Sequence, residues 1–235
     1  MALERWTSSQ LSTRKSRGVK LFCLLISLAL PILSVSAEQG VTNVYHRHDN
    51  NEMKIALTFD DGPHPILTPK ILDILKKYQV KATFFIVGEN ANNYPQVVER
   101  ILNEGHEIGN HTYTHDKIDH GEIERCEKTI YELTDYRTKL FRPPEGLINH
   151  AIKSASASLG YDIILWNIDT RDWDHTSPND IYKNVTSNIT AGSIILMHDY
   201  ISFNSPTPKA LEMMLPKLID MGYQFVVVSE LIGTV

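Results

Sequence analysis

The chain has 235 residues, of which 42% are hydrophobic and 22% are charged, and its formal net charge is −5 at pH 7. This composition is typical of a folded globular protein and excludes a disordered or collagen-like chain. An acidic chain without long basic runs also excludes nucleic acid as the expected partner, because binding to phosphates needs clustered Lys and Arg.

The first 37 residues have the pattern of a secretory signal peptide. Four basic residues between positions 14 and 20 precede a 13-residue apolar stretch at 21–33, and the small residues Val35 and Ala37 follow it. This pattern predicts cleavage after Ala37 and a secreted or cell-surface protein. The alternative is an uncleaved segment that anchors the protein in the membrane.

Removal of residues 1–37 takes away five basic residues and one acidic residue, which changes the net charge from −5 to −9. Of the two cysteines, Cys23 lies in this segment, so Cys126 cannot form an internal disulfide. We expect a polar leader at 38–52 and one domain at 53–235, a length sufficient for a full core. The sequence implies no protein partner, and we expect a monomer.

Short apolar stretches alternate with helical patterns through the rest of the chain. Seven strands are predicted, at residues 54–59, 82–87, 107–110, 140–142, 162–168, 193–197 and 224–228. Such near-continuous apolar strands are typical of parallel sheets that are covered on both faces. The fold class is therefore α/β, and periodicity alone leaves open whether the sheet is open or closed into a barrel.

Six helices are predicted between these strands. Three begin with a hydroxyl residue before proline, at Thr68, Ser177 and Thr207, where the hydroxyl is expected to cap the helix. The other three are centred on residues 97–102, 123–133 and 149–159. Pro216 lies inside the last helix and predicts a kink there.

Polar residues gather where successive strands end. They are Asp60 and Asp61 after the first strand, His111 and His115 after the third, Arg142 to Glu145 after the fourth, Asp169 to Trp173 after the fifth, and His198 after the sixth. The carboxyl edge of a parallel sheet is where α/β folds build their sites. These residues are therefore expected to meet at one site.

The two histidines four residues apart, together with one aspartate, are typical of a metal site that leaves positions open for water and substrate. Two surface histidines and an Asp-Gly turn are the alternative. Neighbouring side chains point differently, so only one of Asp60 and Asp61 can easily bind the metal. Its charge would stabilise both carboxylates.

His198 is a candidate general acid, with either Asp169 or Asp172 holding its proton. Arg142 is expected to pair with the aspartate that does not bind metal, and a purely structural salt bridge is the alternative. Trp173 is a candidate groove wall, with core packing as the alternative. Pro143 and Pro144 are further candidates for the groove wall.

The motifs "TFDDGP", "HTYTH", "RPPEG", "DTRDW" and "ILMHD" together resemble those of the polysaccharide deacetylase family, carbohydrate esterase family 4. The resemblance spans about residues 53–231 and implies a distorted (β/α) barrel. It also implies that Asp60 is the general base and that His198 is the general acid. Asp61 would bind the metal with the two histidines.

The resemblance further implies that Arg142 positions Asp60 and that the aspartates of "DTRDW" support His198. This chain has Glu145 where the family commonly has tyrosine. The backbone N–H of that residue is expected to bind the oxyanion, so the departure bears on substrate preference rather than on activity.

Members of this family remove N-acetyl groups from chitin-type glycans or peptidoglycan, and some remove O-acetyl groups from xylan. We therefore expect a metal-dependent hydrolase that removes N-acetyl groups from an amino-sugar polysaccharide. The alternatives are an O-acetyl esterase and a non-catalytic glycan-binding protein. Zinc is the expected metal, and cobalt, nickel, manganese and iron also suit the predicted ligands.

Overall fold

The computed structural model describes residues 41–49, 52–174, 176–200 and 204–234. The chain divides into two units, Met1–Ala37 and Glu38–Val235. The predicted signal peptide and its cleavage site lie outside the described residues. All strands and helices of the described residues belong to the second unit.

In the described residues of this unit, nine strands form a single central sheet, and every ladder between them is parallel. The strands are β1 (Val44–Tyr45), β2 (Lys54–Asp60), β3 (Thr83–Ile86), β4 (Glu107–Asn110), β5 (Leu140–Phe141), β6 (Asp162–Ile164), β7 (Ile168–Asp169), β8 (Ile194–His198) and β9 (Gln224–Val226). Their order is β1-β6-β5-β4-β3-β2-β8-β7, with β9 paired to β2. This is the expected distorted (β/α) barrel.

Eight α-helices surround the sheet in the described part of the chain. They are α1 (Leu67–Tyr78), α2 (Gly88–Asn93), α3 (Pro95–Asn103), α4 (His120–Thr134), α5 (His150–Leu159), α6 (Pro178–Asn188), α7 (Thr207–Asp220) and α8 (Val228–Ile232). Short 3₁₀ turns occur at Pro144–Gly146 and Asp172–Asp174. Within the same residues, no helix is long and apolar enough to cross a membrane.

The core lies between the sheet and the helices. In β2, the six residues after Lys54 are all buried, as expected for a strand covered on both faces. Helix α1 buries Ile71, Leu72 and Leu75 completely, and Cys126 of α4 is buried as well. The apolar stripe of each helix thus covers one face of the sheet.

The single strand expected at 162–168 is divided into β6 and β7, because a buried cation binds the chain between them. Arg142 donates from Nε to the carbonyl oxygen of Ile164 (3.0 Å) and from Nη2 to that of Leu165 (3.1 Å). These two carbonyl oxygens accept hydrogen bonds from the guanidinium instead of extending the β6 ladder. The chain then resumes as β7, which pairs with β8.

The expected helix caps were correct at one of three sites. The Ser177 side chain accepts the backbone N–H of Asp180 and caps α6. Thr68 and Thr207 instead lie inside the first turns of α1 and α7, after the cap residues Ile66 and Pro206. Their hydroxyls donate to buried carboxylates, as described below. Helix α7 continues past Pro216 to Asp220 without a break.

The stretch expected to be a polar leader contributes a strand to the sheet. Val44 and Tyr45 pair with Ile163 and Ile164 of β6. Further along, the backbone N–H of His48 donates to the carbonyl oxygen of Gly192 (2.9 Å). Residues 41–49 are therefore part of the domain.

We expect Gly192→Ala to loosen this attachment. Gly192 has φ +79°, and an added Cβ would lie 1.7 Å from the carbonyl oxygen of His48. Gly160→Ala is the matched control, because Gly160 has φ +74° with no atom within 4 Å of the added Cβ. In urea denaturation, Gly192→Ala should lower the free energy of unfolding by at least about 1 kcal/mol more than Gly160→Ala. Equal losses would mean that residues 41–49 are not held against Gly192.

Candidate active site

The polar residues predicted at strand ends do meet at one edge of the sheet. Asp60, the last residue of β2, lies beside His198, the last residue of β8, in the strand register. Asn110, the last residue of β4, lies beside Phe141 of β5, and Arg142 follows directly. Parallel strands place all these carboxyl ends at the same edge.

Asp61, His111 and His115 form a compact cluster there. Asp61 Oδ1 lies 3.3 Å from His111 Nε2 and 3.2 Å from His115 Nε2. The three ligand atoms lie within 4.8 Å of one another. His111 is buried, whereas His115 and Asp61 are partly exposed, so the cluster opens to solvent on one side.

The protonation of His111 fits a bound metal. Its Nδ1–H donates to the carbonyl oxygen of Arg142 (2.7 Å), which can only accept. In the neutral ring, Nε2 then presents a lone pair to the Asp61 carboxylate. Two such atoms repel unless a cation or a proton lies between them. A hydrogen bond that fixes the ring in this way is the usual support of a metal-binding histidine.

The charge of Asp61 is also favoured. Burial alone would raise the pKa of Asp61, but when both rings are protonated, hydrogen bonds from His111 and His115 outweigh burial and hold the pKa well below its usual value. Two imidazole nitrogens and one carboxylate suit zinc and several other divalent transition metals. The residues present therefore fit a divalent metal.

The loops that carry these residues are strained. Asp61 (φ 75°), Thr112 (φ 66°), His115 (φ 67°), Glu145 (φ 57°) and Arg171 (φ 55°) all adopt the left-handed region. This conformation is unfavourable for residues other than glycine and concentrates at functional sites. The strain turns neighbouring side chains in different directions.

Asp60 has a different main partner from Asp61. Its Oδ1 accepts from Arg142 Nη1 (2.7 Å), and its Oδ2 lies 3.9 Å from His111 Nε2. Asp60 is almost fully buried, and Arg142 is fully buried. The guanidinium thus compensates the Asp60 carboxylate beside the cluster of Asp61, His111 and His115, which is the arrangement expected from the sequence.

His198 contacts Asp172 rather than Asp169. The ring Nδ1 donates to Asp172 Oδ1 (2.7 Å), and the backbone N–H of His198 donates to Asp172 Oδ2 (2.9 Å). Thr207 Oγ1 also donates to Oδ2 (2.6 Å). Asp169 Oδ1 instead accepts the backbone N–H of Arg171 (2.8 Å). The assignment of Asp169 as support for His198 is therefore not what the geometry shows.

This contact stabilises the protonated form of His198. Burial lowers the pKa of His198, but the hydrogen bond and charge of Asp172 outweigh burial, with smaller contributions from Asp60 and Asp61. The result is a pKa raised to about 9. His198 therefore carries a proton at neutral pH, as a general acid requires.

The residues predicted to line a substrate groove differ in their exposure to solvent. Pro143 and Pro144 are buried, whereas Glu145 is exposed on the 3₁₀ turn. Trp173 is 49% exposed and lies near the Arg171 guanidinium, so the alternative that Trp173 packs in the core is wrong. Glu145 and Trp173 are thus the two of these residues available to a ligand.

Sequence reasoning missed several supporting residues. Asn110 accepts the backbone N–H of Thr112 (2.9 Å) and donates to the carbonyl oxygen of Ile123 (2.8 Å), so it shapes the loop that carries both histidines. Thr58 accepts from Arg142 Nη1 (2.8 Å). Both are polar residues in apolar strands, and this was the signal available in the sequence.

Comparisons with known proteins agree with this arrangement. The polysaccharide deacetylase family matches residues 47–164. A peptidoglycan-N-acetylglucosamine deacetylase of Bacillus cereus is 42% identical over 191 residues, which cover 78% of this chain and 90% of that protein. A chitooligosaccharide deacetylase of Sinorhizobium fredii is 33% identical over 187 residues, which cover 72% and 87% of the two chains.

A solved structure is similar as well. It is the crystal structure of a peptidoglycan N-acetylglucosamine deacetylase in complex with 4-naphthalen-1-yl-N-oxidanyl-benzamide. The TM-score is 0.78 at 37% sequence identity, and the match covers 81% of this chain and 92% of that chain. The shared fold therefore includes the strands that carry the site.

Asp172→Asn should lower the pKa of His198 from about 9 towards its ordinary value of 6.5, because burial is then opposed only by the smaller contributions of Asp60 and Asp61. Titration of the imidazole by NMR measures the shift, and Asp169→Asn is the matched control that should leave it unchanged. An unchanged His198 in Asp172→Asn would contradict the role of this contact.

The same pair links stability to pH. Because the folded pKa of His198 lies above the unfolded value, its contribution to stability is complete below about pH 6.5 and is lost as the pH rises through about 9.

Proposed function

Because the chain belongs to the polysaccharide deacetylase family, we propose that it is a hydrolase that removes N-acetyl groups from an amino-sugar glycan. One observation carries the proposal. A buried Arg142–Asp60 pair and an Asp172–His198 pair lie on neighbouring strand ends beside the cluster around Asp61. A paired base and a paired acid flanking a metal site are what amide hydrolysis requires.

A divalent metal held by Asp61, His111 and His115 would supply Lewis-acid chemistry that polarises the acetamide carbonyl and acidifies water. Asp60 accepts a proton from the attacking water, and the hydrogen bond from Arg142 orients the Asp60 carboxylate. The backbone N–H of Glu145 donates to the oxyanion that forms on the acetyl carbon.

His198 completes the reaction by protonating the leaving nitrogen. The C–N bond of the acetamide breaks, and the products are acetate and the free amine of the sugar. Asp172 holds His198 by Nδ1, which leaves Nε2 to carry the proton that is transferred. The raised pKa keeps that proton available at neutral pH.

The substrate is proposed to be peptidoglycan or a chito-oligosaccharide. The relatives described above bear both names, and we propose that the exposed side chains of Glu145 and Trp173 distinguish between the glycans. Zinc is the proposed metal. From the pattern of residues 1–37, we also propose export to the cell surface or beyond, with the enzyme acting as a monomer.

Acetate release tests the function. The protein, loaded in turn with Zn²⁺, Co²⁺, Ni²⁺, Mn²⁺ or Fe²⁺ after chelation, is incubated with peptidoglycan, chito-oligosaccharides and acetylated xylan. Release from the amino-sugar glycans supports the proposal. Release from xylan alone would make the protein an O-acetyl esterase, and no release with metal bound would make it a glycan-binding protein.

The two neighbouring aspartates should respond differently to substitution. Asp61→Ala removes a ligand and should weaken Zn²⁺ binding by at least about tenfold. Asp60→Asn keeps the ligands and should bind Zn²⁺ nearly as well as the parent, with kcat lower by about 10²-fold or more. Calorimetric titration and acetate release measure the two effects. Near-full activity of Asp60→Asn with metal bound would remove Asp60 from the role of base.

A further inference from the structure

Asp199 is a buried carboxylate that the proposed chemistry does not use. It follows His198, is 1% exposed, and donates its backbone N–H to the carbonyl oxygen of Asp60 (3.1 Å). Its Oδ2 accepts from Thr68 Oγ1 (2.6 Å) in the first turn of α1. Asp199 is therefore fixed between the end of β2 and the start of α1.

The carboxylate of Asp199 lies directly against Gly62. A Cβ at Gly62 would lie 2.1 Å from Asp199 Oδ2 and 2.3 Å from Oδ1. Gly62 does not have a positive φ, so its backbone conformation does not require glycine. Glycine is needed there because the Asp199 carboxylate leaves no room for a side chain. The Asp199 carboxylate thus occupies the space that a side chain at Gly62 would need.

The turn at Asp61 and Gly62 is held from the other side by the residues around α2. Val87 N–H donates to the carbonyl oxygen of Gly62 (2.9 Å), and Asn90 Nδ2 donates to that of Asp61 (2.8 Å). Asp61 has φ 75° and is strained. A strained residue keeps its conformation only where its surroundings hold it on every side.

We propose that Asp199 is a positioning residue for Asp61, whose carboxylate supports Gly62 from below and so holds the Asp61 side chain towards His111 and His115. The inference rests on the metal site of the proposed function. Both carboxylate oxygens of Asp199 lie in the space that a side chain at Gly62 would need, so the carboxylate and the turn cannot move independently.

Zn²⁺ affinity of the metal-free protein, measured by competition with a chromophoric chelator, tests the inference. Asp199→Ala should bind Zn²⁺ about tenfold more weakly, which is the usual effect of losing a group that orients a ligand. Asp199→Asn keeps the volume and an acceptor for Thr68, and its affinity should stay within about threefold of the parent. An Asp199→Ala affinity equal to that of the parent would overturn the inference.

A size exchange gives an independent test. Gly62→Ala should weaken Zn²⁺ binding at least as much as Asp199→Ala, because the new methyl group collides with the carboxylate. In the double variant Gly62→Ala/Asp199→Ala that collision is gone, and the affinity should be at least about threefold higher than in Gly62→Ala. A double variant no better than Gly62→Ala would overturn the inference.

Glu107 provides the matched control. It is a second buried carboxylate that accepts from a threonine hydroxyl, Thr83 Oγ1 (2.8 Å), but it begins β4 at the opposite edge of the sheet. Glu107→Gln should lower the melting temperature without changing Zn²⁺ affinity. If Asp199→Ala changed only the melting temperature, as Glu107→Gln does, Asp199 would have a structural role alone.

Two outcomes separate this inference from the proposed function. If the parent binds Zn²⁺ and Asp199→Ala binds it equally well, only the inference is overturned. If the parent does not bind Zn²⁺ at all, the proposed metal site and the inference both fall. Should Asp199→Ala not fold, Thr68→Val replaces it, because loss of the hydroxyl frees the carboxylate and should weaken Zn²⁺ binding by about threefold.

Discussion

A single positive charge, sealed from water inside the barrel, determines how the functional edge of this protein is built. The Arg142 guanidinium is fully buried, and it donates to Thr58, Asp60, Ile164 and Leu165 on two other strands and the segment that follows one of them. It also lies over the Phe85 ring, with its central carbon 4.0 Å from the ring centroid. A buried charge needs such compensation, and removal of one partner typically costs about 3–5 kcal/mol.

Because of this requirement, the carboxylate of Asp60 stabilises the fold in addition to being part of the candidate active site. Its negative charge is the counterpart that makes the buried guanidinium tolerable, and the same contact places Asp60 near His111. The backbone carbonyl of Arg142 in turn fixes the His111 ring. The position of Asp60, the orientation of the His111 ring and the end of β6 therefore depend on one residue.

Much of this arrangement was predictable from the sequence, because two signals are local. Apolar stretches of strand length alternate with helical patterns, and polar residues follow each strand where a parallel sheet builds its site. The strands at the sheet centre and the cluster of Asp61 with two histidines follow from those signals. The family resemblance added the barrel.

What the sequence did not reveal depends on contacts between distant residues. Thr68 and Thr207 match the pattern of helix caps, but a hydroxyl can also donate, and its acceptors Asp199 and Asp172 lie far away in the chain. The choice between Asp169 and Asp172 likewise depends on a 3₁₀ turn that directs one carboxylate towards His198. Local pattern carries no information about either contact.

The left-handed backbone at Asp61 and His115 has an evolutionary consequence. Glycine would relieve the strain at either position by up to about 1–2 kcal/mol, yet it would remove a side chain that the proposed metal site needs. Selection for a more stable metal-free domain and selection for metal binding therefore act in opposite directions on the same two codons. A descendant of this protein that lost its catalytic role would be free to drift towards glycine there.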